Sequence, residues 1–282
     1  MVWSLQAAPK LTDQQFDQWS KLLEERAGIY LSDHQRVFLQ TQVSMRMREL
    51  GHDDYTQYYR RVLDGVSGMV EWSVLIDRLV VKETSFFRHK PSIDVVVQYL
   101  QQRVNNRTLS ESFDVWSVGC ASGEEPYSLA MVINDCFEYA RIEPYYGVTA
   151  TDLSSAALAL ARQGVYGARK LENMESHFKQ RHFTATDDGK FQINARLQSK
   201  VCFNKANVLD IKEMPRVQFD VIYCQNLLVY FRRWLRQEIM NAFVARLKPG
   251  GIMVVGLGEV VDWKHPRMKR LAADDVQAYI HK

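Results

Sequence analysis

The sequence contains few cysteines, and their spacing fits neither a metal site nor a disulfide framework. No Cys-x-x-Cys pair occurs, and no histidine lies at zinc-ligand spacing from a cysteine. The four cysteines are Cys120, Cys136, Cys202 and Cys224. We therefore expect no metal site and four free thiols, as is usual in a reducing cytoplasm.

Long hydrophobic runs and an excess of one charge are also missing. No apolar stretch approaches the length that crosses a bilayer, and the first ten residues, MVWSLQAAPK, lack the basic start and apolar stretch of a signal peptide. The 282 residues include 36 Lys and Arg against 33 Asp and Glu, which excludes nucleic-acid binding by bulk charge. We expect a cytoplasmic monomer that binds no nucleic acid and does not insert into a membrane.

Residues 12–82 have the periodicity of helices and no strand pattern. Thr12 followed by Gln15 predicts a capped first helix, which ends at Gly28. Three further helices are predicted at about 32–50, from 53 or 54, and at about 68–81. These signals predict a small all-α domain over residues 1–88.

After residue 112, apolar runs of strand length alternate with helical stretches. The predicted strands are Phe113–Val118, Tyr146–Ala150, Phe219–Tyr223 and, as the last one, Gly251–Gly256. This alternation predicts a parallel sheet with helices on both faces, in an α/β domain of residues 89–282. Residues 165–206 interrupt the alternation, and Asp188-Gly189 indicates a hairpin there, so we expect a small β-subdomain insertion.

Polar residues follow the predicted strands at the edge where open α/β sheets bind ligands. Gly119 and Gly123 flank a tight turn that lacks the G-x-G-x-x-G spacing of a dinucleotide site. Asp152 follows the second strand, where it would either accept both hydroxyls of a ribose or cap the next helix. Asn207 would either reach an adenine edge or form a polar turn, and the sequence leaves both pairs of alternatives open.

The order of these motifs, with LKPGG at 247–251, resembles the class I S-adenosylmethionine-dependent methyltransferases. A more specific set of motifs looks like CheR, the chemotaxis-receptor methyltransferase family, over nearly the whole chain. These motifs are KETSFFRHK (82–90), GEEPYSLA (123–130), ATDLS (150–154), GVYG (164–167) and NLLVYF (226–231). The resemblance implies an α/β, Rossmann-like class I methyltransferase domain with a small all-α N-terminal domain and a small β-subdomain.

The resemblance also implies an activity. The family transfers a methyl group from S-adenosylmethionine to glutamates on the cytoplasmic helical domain of methyl-accepting chemoreceptors, which yields glutamyl 5-O-methyl esters and S-adenosylhomocysteine. A surface glutamate, with a pKa of about 4.3, is ionised near neutral pH and needs no general base. Two rival interpretations are a methyltransferase for another substrate class and a relative that binds S-adenosylmethionine as a regulator or scaffold.

Carried over by motif, the cofactor site comprises the segment before the α/β domain, the glycine turn and the ends of three strands. Its implied residues are Lys82, Thr84, Arg88, Glu124, Asp152, Asn207, Val208, Gln225 and Asn226. Arg88 suits the methionine carboxylate of the cofactor, and Glu124 would contact the cofactor from the glycine turn. Arg88 and Tyr230 are the candidates for the transfer step, Tyr230 by positioning the substrate carboxylate.

Several positions depart from the family pattern. Lys82 stands where an Asn is usual, Gln225 where an Arg is usual, and GLGE (256–259) where GHSE is common. The second predicted helix keeps only Arg46 and Arg48 of an arginine-rich face that the resemblance implies docks on receptor helices. The stretch 181–194 lacks the Arg-Gly pair that grips a receptor's tether peptide, so we expect no tether dependence.

Overall fold

The computed structural model describes residues 10–143 and 145–282, so predictions about the first nine residues lie outside the described residues. By its contacts the chain divides into two units. The helical unit groups the residues up to Val81 with Tyr230–Arg232, and the α/β unit comprises Lys82–Val229 and Arg233–Lys282. The segment 82–88, which the sequence prediction assigned to the helical domain, therefore groups with the α/β unit.

The described residues of the helical unit form four α-helices. They are α1 (Asp13–Ala27), α2 (Arg36–Glu49), α3 (Tyr55–Leu63) and α4 (Gly65–Leu79). The predicted capping box of Thr12 and Gln15 is present, and Gly28 ends α1 in the left-handed conformation at φ 72°. Trp19 and Tyr58 stack in the interior of this unit with ring centroids 5.6 Å apart.

Arg46 belongs to the interior of the helical unit. Its guanidinium donates two 2.8 Å hydrogen bonds to the Glu71 carboxylate, which also accepts the Tyr58 hydroxyl at 2.7 Å. A further ion pair joins Arg46 to Glu49 at 3.0 Å, and only 17% of the Arg46 side chain is exposed. This arrangement disagrees with the expected docking role of Arg46, because an arginine that docks on a partner presents its charge to solvent. Arg48 is exposed.

The α/β unit contains six α-helices and ten strands among its described residues. The helices are α5 (Lys90–Asn105), α6 (Glu124–Tyr139), α7 (Ser155–Gln163), α8 (Ser176–His182), α9 (Ala195–Gln198) and α10 (Arg233–Val244). The strands are β1 (Phe113–Val118), β2 (Tyr146–Asp152), β3 (Val165–Gly167), β4 (Phe183–Ala185), β5 (Lys190–Ile193), β6 (Val201–Lys205), β7 (Phe219–Cys224), β8 (Leu247–Val255), β9 (Met268–Arg270) and β10 (Gln277–His281).

Seven of the strands form one sheet in the order β6-β2-β1-β7-β8-β10-β9. The strands from β6 to β8 are parallel, as the sequence predicts. The prediction that the run at 251–256 is the last strand is wrong, because β10 pairs antiparallel with β8 and β9 pairs antiparallel with β10. The chain runs outward from β1 to β2 and β6, and then to β7 and β8 on the other side of β1. A ligand is expected at this switch point, beyond the carboxyl end of β1.

The three remaining strands form a small antiparallel sheet in the order β3-β5-β4. The hairpin predicted at Asp188-Gly189 joins β4 to β5, as expected. The predicted insertion, 165–206, extends too far, because β6 belongs to the large sheet.

Both faces of the central strands β1 and β7 are mostly buried, as in other sheets covered by helices on two sides. Val115 and Val148 lie in a cluster of buried residues with Val96 of α5 and Ile133 of α6. On β1 the next residue, Trp116, meets Phe243 of α10 edge-on, with ring centroids 5.6 Å apart. All four cysteines are free, and none of the described helices is long and apolar enough to cross a membrane.

Candidate active site

The turn after β1 has an unusual backbone that only small residues permit. Gly119, Ala121 and Gly123 all have positive φ values, of 78°, 45° and 94°. A Cβ atom at Gly123 would lie 2.9 Å from the Ala161 side chain, so glycine is required there. The Gly119 amide donates to the Thr151 carbonyl at 2.8 Å, which fixes the turn beside the end of β2.

Asp152, at the end of β2, closes this turn with its side chain. One carboxylate oxygen accepts the Ala121 amide and the other accepts the Ser154 amide, each at 2.8 Å. Ser154, not Asp152, caps α7, because its hydroxyl accepts the Ala157 amide at 3.0 Å. Of the two alternatives that the sequence left open, capping is therefore excluded. The Leu153 amide also stabilises this carboxylate, and the predicted contact of Asp152 with ribose hydroxyls stays a prediction.

Two opposing effects act on the ionisation of Asp152. Burial raises its pKa above the ordinary value. The backbone amides of Ser154 and Ala121 and the Lys82 ammonium favour the charged form and limit the rise. Lys82, although it departs from the family pattern, therefore lies within electrostatic range of the carboxylate at the end of β2.

The two glutamates at the start of α6 have different environments. Glu124 is fully buried, and its carboxylate accepts the Ser122 hydroxyl at 2.7 Å and pairs with Lys170 at 2.8 Å. Both partners belong to the α/β unit, and the predicted contact of Glu124 with the cofactor stays a prediction. Lys170 also donates to the Thr84 carbonyl at 2.7 Å, so Glu124 helps to hold the segment 82–88.

Glu125 is half-buried, and its carboxylate accepts the Ser117 hydroxyl of β1 at 2.7 Å. Burial, together with the negative charges of Glu259 and Asp152, raises the pKa of Glu125 to about 8. The Ser117 hydroxyl and the Arg88 guanidinium act in the opposite direction. Glu125 therefore lies within electrostatic range of Glu259, Asp152 and Arg88. The sequence predicts a cofactor contact for its neighbour Glu124.

The segment 82–90 is held against α6. The Phe87 amide donates to the Ser128 hydroxyl at 3.0 Å, and Phe87 has a positive φ of 52°. Phe86 is buried against Tyr166, with ring centroids 4.9 Å apart. Arg88 is exposed and donates to the Glu83 carbonyl at 2.9 Å, so one end of its guanidinium remains available to a ligand.

The loop after β6 lies beside Asp152, because the Ala206 amide donates to the Asp152 carbonyl at 3.0 Å. Asn207 is half-buried, and its side-chain oxygen accepts the Leu209 amide at 3.2 Å. The polar turn, one of the two alternatives for Asn207, is therefore present. The contact of Asn207 with an adenine edge stays a prediction. Val208 is 8% exposed and presents an apolar side chain next to it.

The loop after β7 contains the last candidates. Gln225 is half-buried, with its amide 3.4 Å from the Ser92 hydroxyl, whereas Asn226 is exposed and has a positive φ of 57°. Tyr230 groups by its contacts with the helical unit, where its carbonyl accepts the Tyr30 amide at 2.9 Å. Its predicted contact with the substrate carboxylate stays a prediction.

The carboxyl ends of β6, β2, β1 and β7 thus bring most of the candidates to one edge of the sheet. The sequence missed Glu125 and Glu259, although both lie in motifs that it singled out, GEEPYSLA and GLGE. Three charged side chains at this edge fit the parts of S-adenosylmethionine. The Asp152 carboxylate suits a ribose, the Glu125 carboxylate suits an ammonium group, and the Arg88 guanidinium suits a carboxylate. Among residues 10–143 and 145–282 there is no group of three His, Cys, Asp or Glu side chains placed to hold a metal.

The strand order, the glycine turn after β1 and the acid after β2 define a class I S-adenosylmethionine-dependent methyltransferase. Residues 82–277 match the family model described as "CheR methyltransferase, SAM binding domain", and residues 14–80 match "CheR methyltransferase, all-alpha domain". The chain belongs to the CheR methyltransferase family, and its cofactor is S-adenosylmethionine.

Curated relatives agree with this assignment. The chain is 32% identical over 252 residues to the "Chemotaxis protein methyltransferase" of Escherichia coli strain K12, which covers 88% of this chain and 85% of that protein. The protein of the same name from Borreliella burgdorferi is 29% identical over 255 residues, 89% of each chain. The "Probable biofilm formation methyltransferase WspC" of Pseudomonas aeruginosa is 31% identical over 245 residues, 86% of this chain and 56% of that protein. The chain is thus similar to methyltransferases named for chemotaxis and to one named for biofilm formation.

Proposed function

We propose that this protein methylates glutamate carboxylates on the cytoplasmic helical domain of methyl-accepting chemoreceptors. The observation that carries the proposal is the match of both parts of the chain, 14–80 and 82–277, to one family whose curated relatives are named for chemotaxis. A cytoplasmic location follows from the location of the proposed substrate.

The residues that would hold the cofactor lie at the sheet edge described above. Asp152 would accept the ribose hydroxyls, and Glu125, in place of Glu124, would face the methionine ammonium. Arg88 would bind the methionine carboxylate in two hydrogen bonds, as guanidinium groups do with carboxylates. The other residues proposed to contact the cofactor are Lys82 and Thr84 of the segment 82–88, Asn207 and Val208 at the adenine, and Gln225 and Asn226 near the sulfonium.

The chemistry places few demands on the protein. When bound, S-adenosylmethionine would supply the methyl group of its sulfonium to the carboxylate oxygen, and the S–C electron pair would leave with the sulfur of S-adenosylhomocysteine. A glutamate with a pKa of about 4.3 is already anionic near neutral pH, so no proton needs to be removed. The chain would contribute by holding the carboxylate oxygen in line with the methyl group and by excluding water.

Labelled methyl transfer tests the proposal. The purified protein is incubated with methyl-labelled S-adenosylmethionine and membranes that contain chemoreceptors, and the label is then treated with mild base. We expect release of the label as methanol, and at least tenfold less label with Arg88→Ala or Asp152→Asn in protein that remains folded. Base-stable label would contradict a carboxyl ester, and cofactor binding without transfer to any receptor would indicate a regulatory relative.

A further inference from the structure

Glu259 makes a contact that connects two separate parts of the α/β unit. It lies in the turn after β8, and 4% of the residue is exposed. One carboxylate oxygen accepts the Asn226 amide at 2.5 Å, and the other accepts the Leu228 amide at 2.8 Å. A single buried carboxylate therefore holds two amides of the loop that follows β7.

The loop that Glu259 contacts contains a residue with a left-handed backbone. Asn226 has a φ of 57°, a value that is uncommon outside glycine but that asparagine adopts more readily than most residues. The two hydrogen bonds to Glu259 flank Leu227, whose side chain packs against Gly119 so closely that a Cβ there would lie 3.1 Å away. We call the two hydrogen bonds from the Asn226 and Leu228 amides to the Glu259 carboxylate the clamp. The clamp also fixes how the loop contacts the glycine turn.

The turn that carries Glu259 is itself rigidly placed. The Glu259 amide donates to the Gly256 carbonyl at 3.1 Å, and the Gly256 amide donates to Cys224 at the end of β7. Arg236 of α10 donates to the carbonyls of Glu259 and Val229, at 2.9 and 3.0 Å. The clamp is therefore supported from a strand and a helix, as expected for a site that needs fixed geometry.

Gly256 leaves room for the clamp. A Cβ atom at this position would lie 1.8 Å from the Glu259 carboxylate oxygen that accepts the Asn226 amide. The backbone φ at Gly256 is not positive, so alanine would meet no strain from a left-handed backbone there, and the three atoms nearest to its Cβ would all belong to Glu259. Gly256 is needed because of the Glu259 side chain, which links two residues of the GLGE motif by a physical contact.

We propose that Glu259 is a positioning residue for methyl transfer, which holds the Asn226–Leu228 loop in the conformation required next to the transferring methyl group. The inference rests on the proposed function. Glu259 touches neither cofactor nor substrate in this role and acts through the main chain of the loop. Its loss should therefore lower the rate of transfer more than the affinity for the cofactor.

Glu259→Gln tests the role against a matched control. An amide can accept only one of the two N–H groups, so we expect kcat to fall 10- to 100-fold while KM for S-adenosylmethionine changes less than threefold. Asp220→Asn is the control, because Asp220 is 2% exposed and its carboxylate likewise accepts a backbone amide, that of Asp114, near the start of β7. The control should alter stability but keep kcat within twofold of the unchanged protein. Equal kcat values for both variants would overturn the proposal.

Gly256→Ala provides a second variant that keeps the carboxylate and its charge. The added Cβ displaces the Glu259 side chain, so we expect a loss of kcat similar to that of Glu259→Gln. Because both changes act on one contact, the double variant should lose less than twofold more. A double variant whose loss is the product of the two single losses would overturn the proposed linkage, and this variant also decides the question if Glu259→Gln does not fold.

Amide hydrogen exchange separates this inference from the proposed function. The Asn226 and Leu228 amides should exchange at least tenfold faster in Glu259→Gln and at unchanged rates in Asp220→Asn. This readout needs no receptor and no turnover. If the unchanged protein transfers no methyl group but the exchange result holds, the proposed function fails and the clamp stands as a feature of the fold. Unchanged exchange in Glu259→Gln would refute the clamp itself.

Discussion

Two adjacent glutamates at the start of α6 differ in the partners of their carboxylates. The Glu124 side chain is fully buried, and its carboxylate pairs with Lys170 and accepts the Ser122 hydroxyl. Glu125 is half-buried and within electrostatic range of Arg88 and Asp152. The GEE motif predicts a carboxylate near the cofactor but cannot say which of the two it is. The choice depends on the rotation of α6 relative to β1, which the tertiary structure sets.

Glu125→Gln is predicted to weaken cofactor binding. The substitution removes the carboxyl group that would face the methionine ammonium, whose positive charge would favour the ionised form of Glu125 although its pKa is about 8 in the free protein. Loss of a charge-assisted hydrogen bond of about 1.4 kcal/mol corresponds to about a tenfold change in affinity. Calorimetric titration with S-adenosylhomocysteine measures this loss.

Glu124→Gln is the matched control for that substitution. It disturbs an internal ion pair, so we expect a lower unfolding temperature and a change in cofactor affinity of less than threefold. If Glu124→Gln weakened binding more than Glu125→Gln did, the assignment of the two glutamates would be reversed.

The raised pKa of Glu125 predicts a pH dependence of stability. Because the pKa of Glu125 is about 8 in the folded protein and 4.5, the ordinary value, in the unfolded chain, the native state binds more protons than the unfolded state between these pH values. The contribution of Glu125 to stability is therefore favourable at low pH and declines as pH rises through about 8. Glu125→Gln cannot ionise and lacks this decline.

Unfolding temperatures of the two proteins from pH 5 to pH 9 check the sign. The unfolding temperature of Glu125→Gln minus that of the unchanged protein should increase with pH and level off above about pH 8. A difference that stayed constant, or that decreased with pH, would show that Glu125 titrates near its ordinary value.

At the scale of helices and strands, the sequence predicts the bounds of an element correctly where residues at its own ends mark where it begins and stops. Thr12, Gln15 and Gly28 define α1, and the apolar run of β1 has the predicted bounds. Helix α5 was not predicted, because Val95–Val97 is a β-branched run with low helix propensity, and burial of Val96 and Leu100 stabilises the helix instead. The strands β9 and β10 were missed because they are only three and five residues long, and β10 also depends on pairing with β8.

In the candidate site, too, some residues could be predicted from local sequence, whereas others depend on the tertiary structure. Asp152, Asn207 and Asn226 could be predicted from their positions directly after strands, since those ends of parallel strands meet at one edge. The partners that orient the site are distant in sequence: Lys170 lies 46 residues after Glu124, and Glu259 lies 33 residues after Asn226. No spacing rule identifies such partners without the fold.

Arg46→Ala is predicted to destabilise the helical unit. It leaves the Glu71 carboxylate, whose side chain is 5% exposed, without its guanidinium partner. Removal of one member of a buried ion pair costs about 3 kcal/mol of unfolding free energy. Exposed Arg48→Ala is the control and should change the unfolding free energy by at most about 0.5 kcal/mol.

Urea unfolding measures both free energies. If Arg46→Ala left stability unchanged and lowered receptor methylation, Arg46 would be a docking residue, and its assignment to the interior of the helical unit would be wrong.

For the whole molecule, the small β3-β5-β4 sheet bears on how a receptor would be engaged. Its β4–β5 connection is a tight turn, in which the Thr186 hydroxyl contacts Asp188 at 2.5 Å and Lys190 pairs with Asp188 at 2.6 Å. The turn has no Arg-Gly pair and contains too few residues for a gripping loop. We therefore predict that deleting a receptor's C-terminal tether changes its methylation rate less than twofold, as measured with matched full-length and truncated receptors. A loss of tenfold or more would show that the tether is bound elsewhere on the chain.

Methylation of a receptor glutamate would remove one negative charge per site. On a bundle of packed helices, this change lowers the repulsion between neighbouring carboxylates and shifts the balance between two signalling states. The protein would need only to select the right carboxylates and hold them in line, a role in keeping with a chain whose charges are nearly balanced, at +3.

Mass spectrometry of a methylated receptor tests the central claim most directly. A purified cytoplasmic receptor fragment is incubated with this protein and S-adenosylmethionine, digested, and sequenced by fragmentation. We predict an increase of one methylene, about 14 Da, on glutamate residues of the helical domain, and its absence when those glutamates are replaced by alanine. Methyl groups on lysine, arginine or histidine nitrogen, with none on glutamate, would contradict the account.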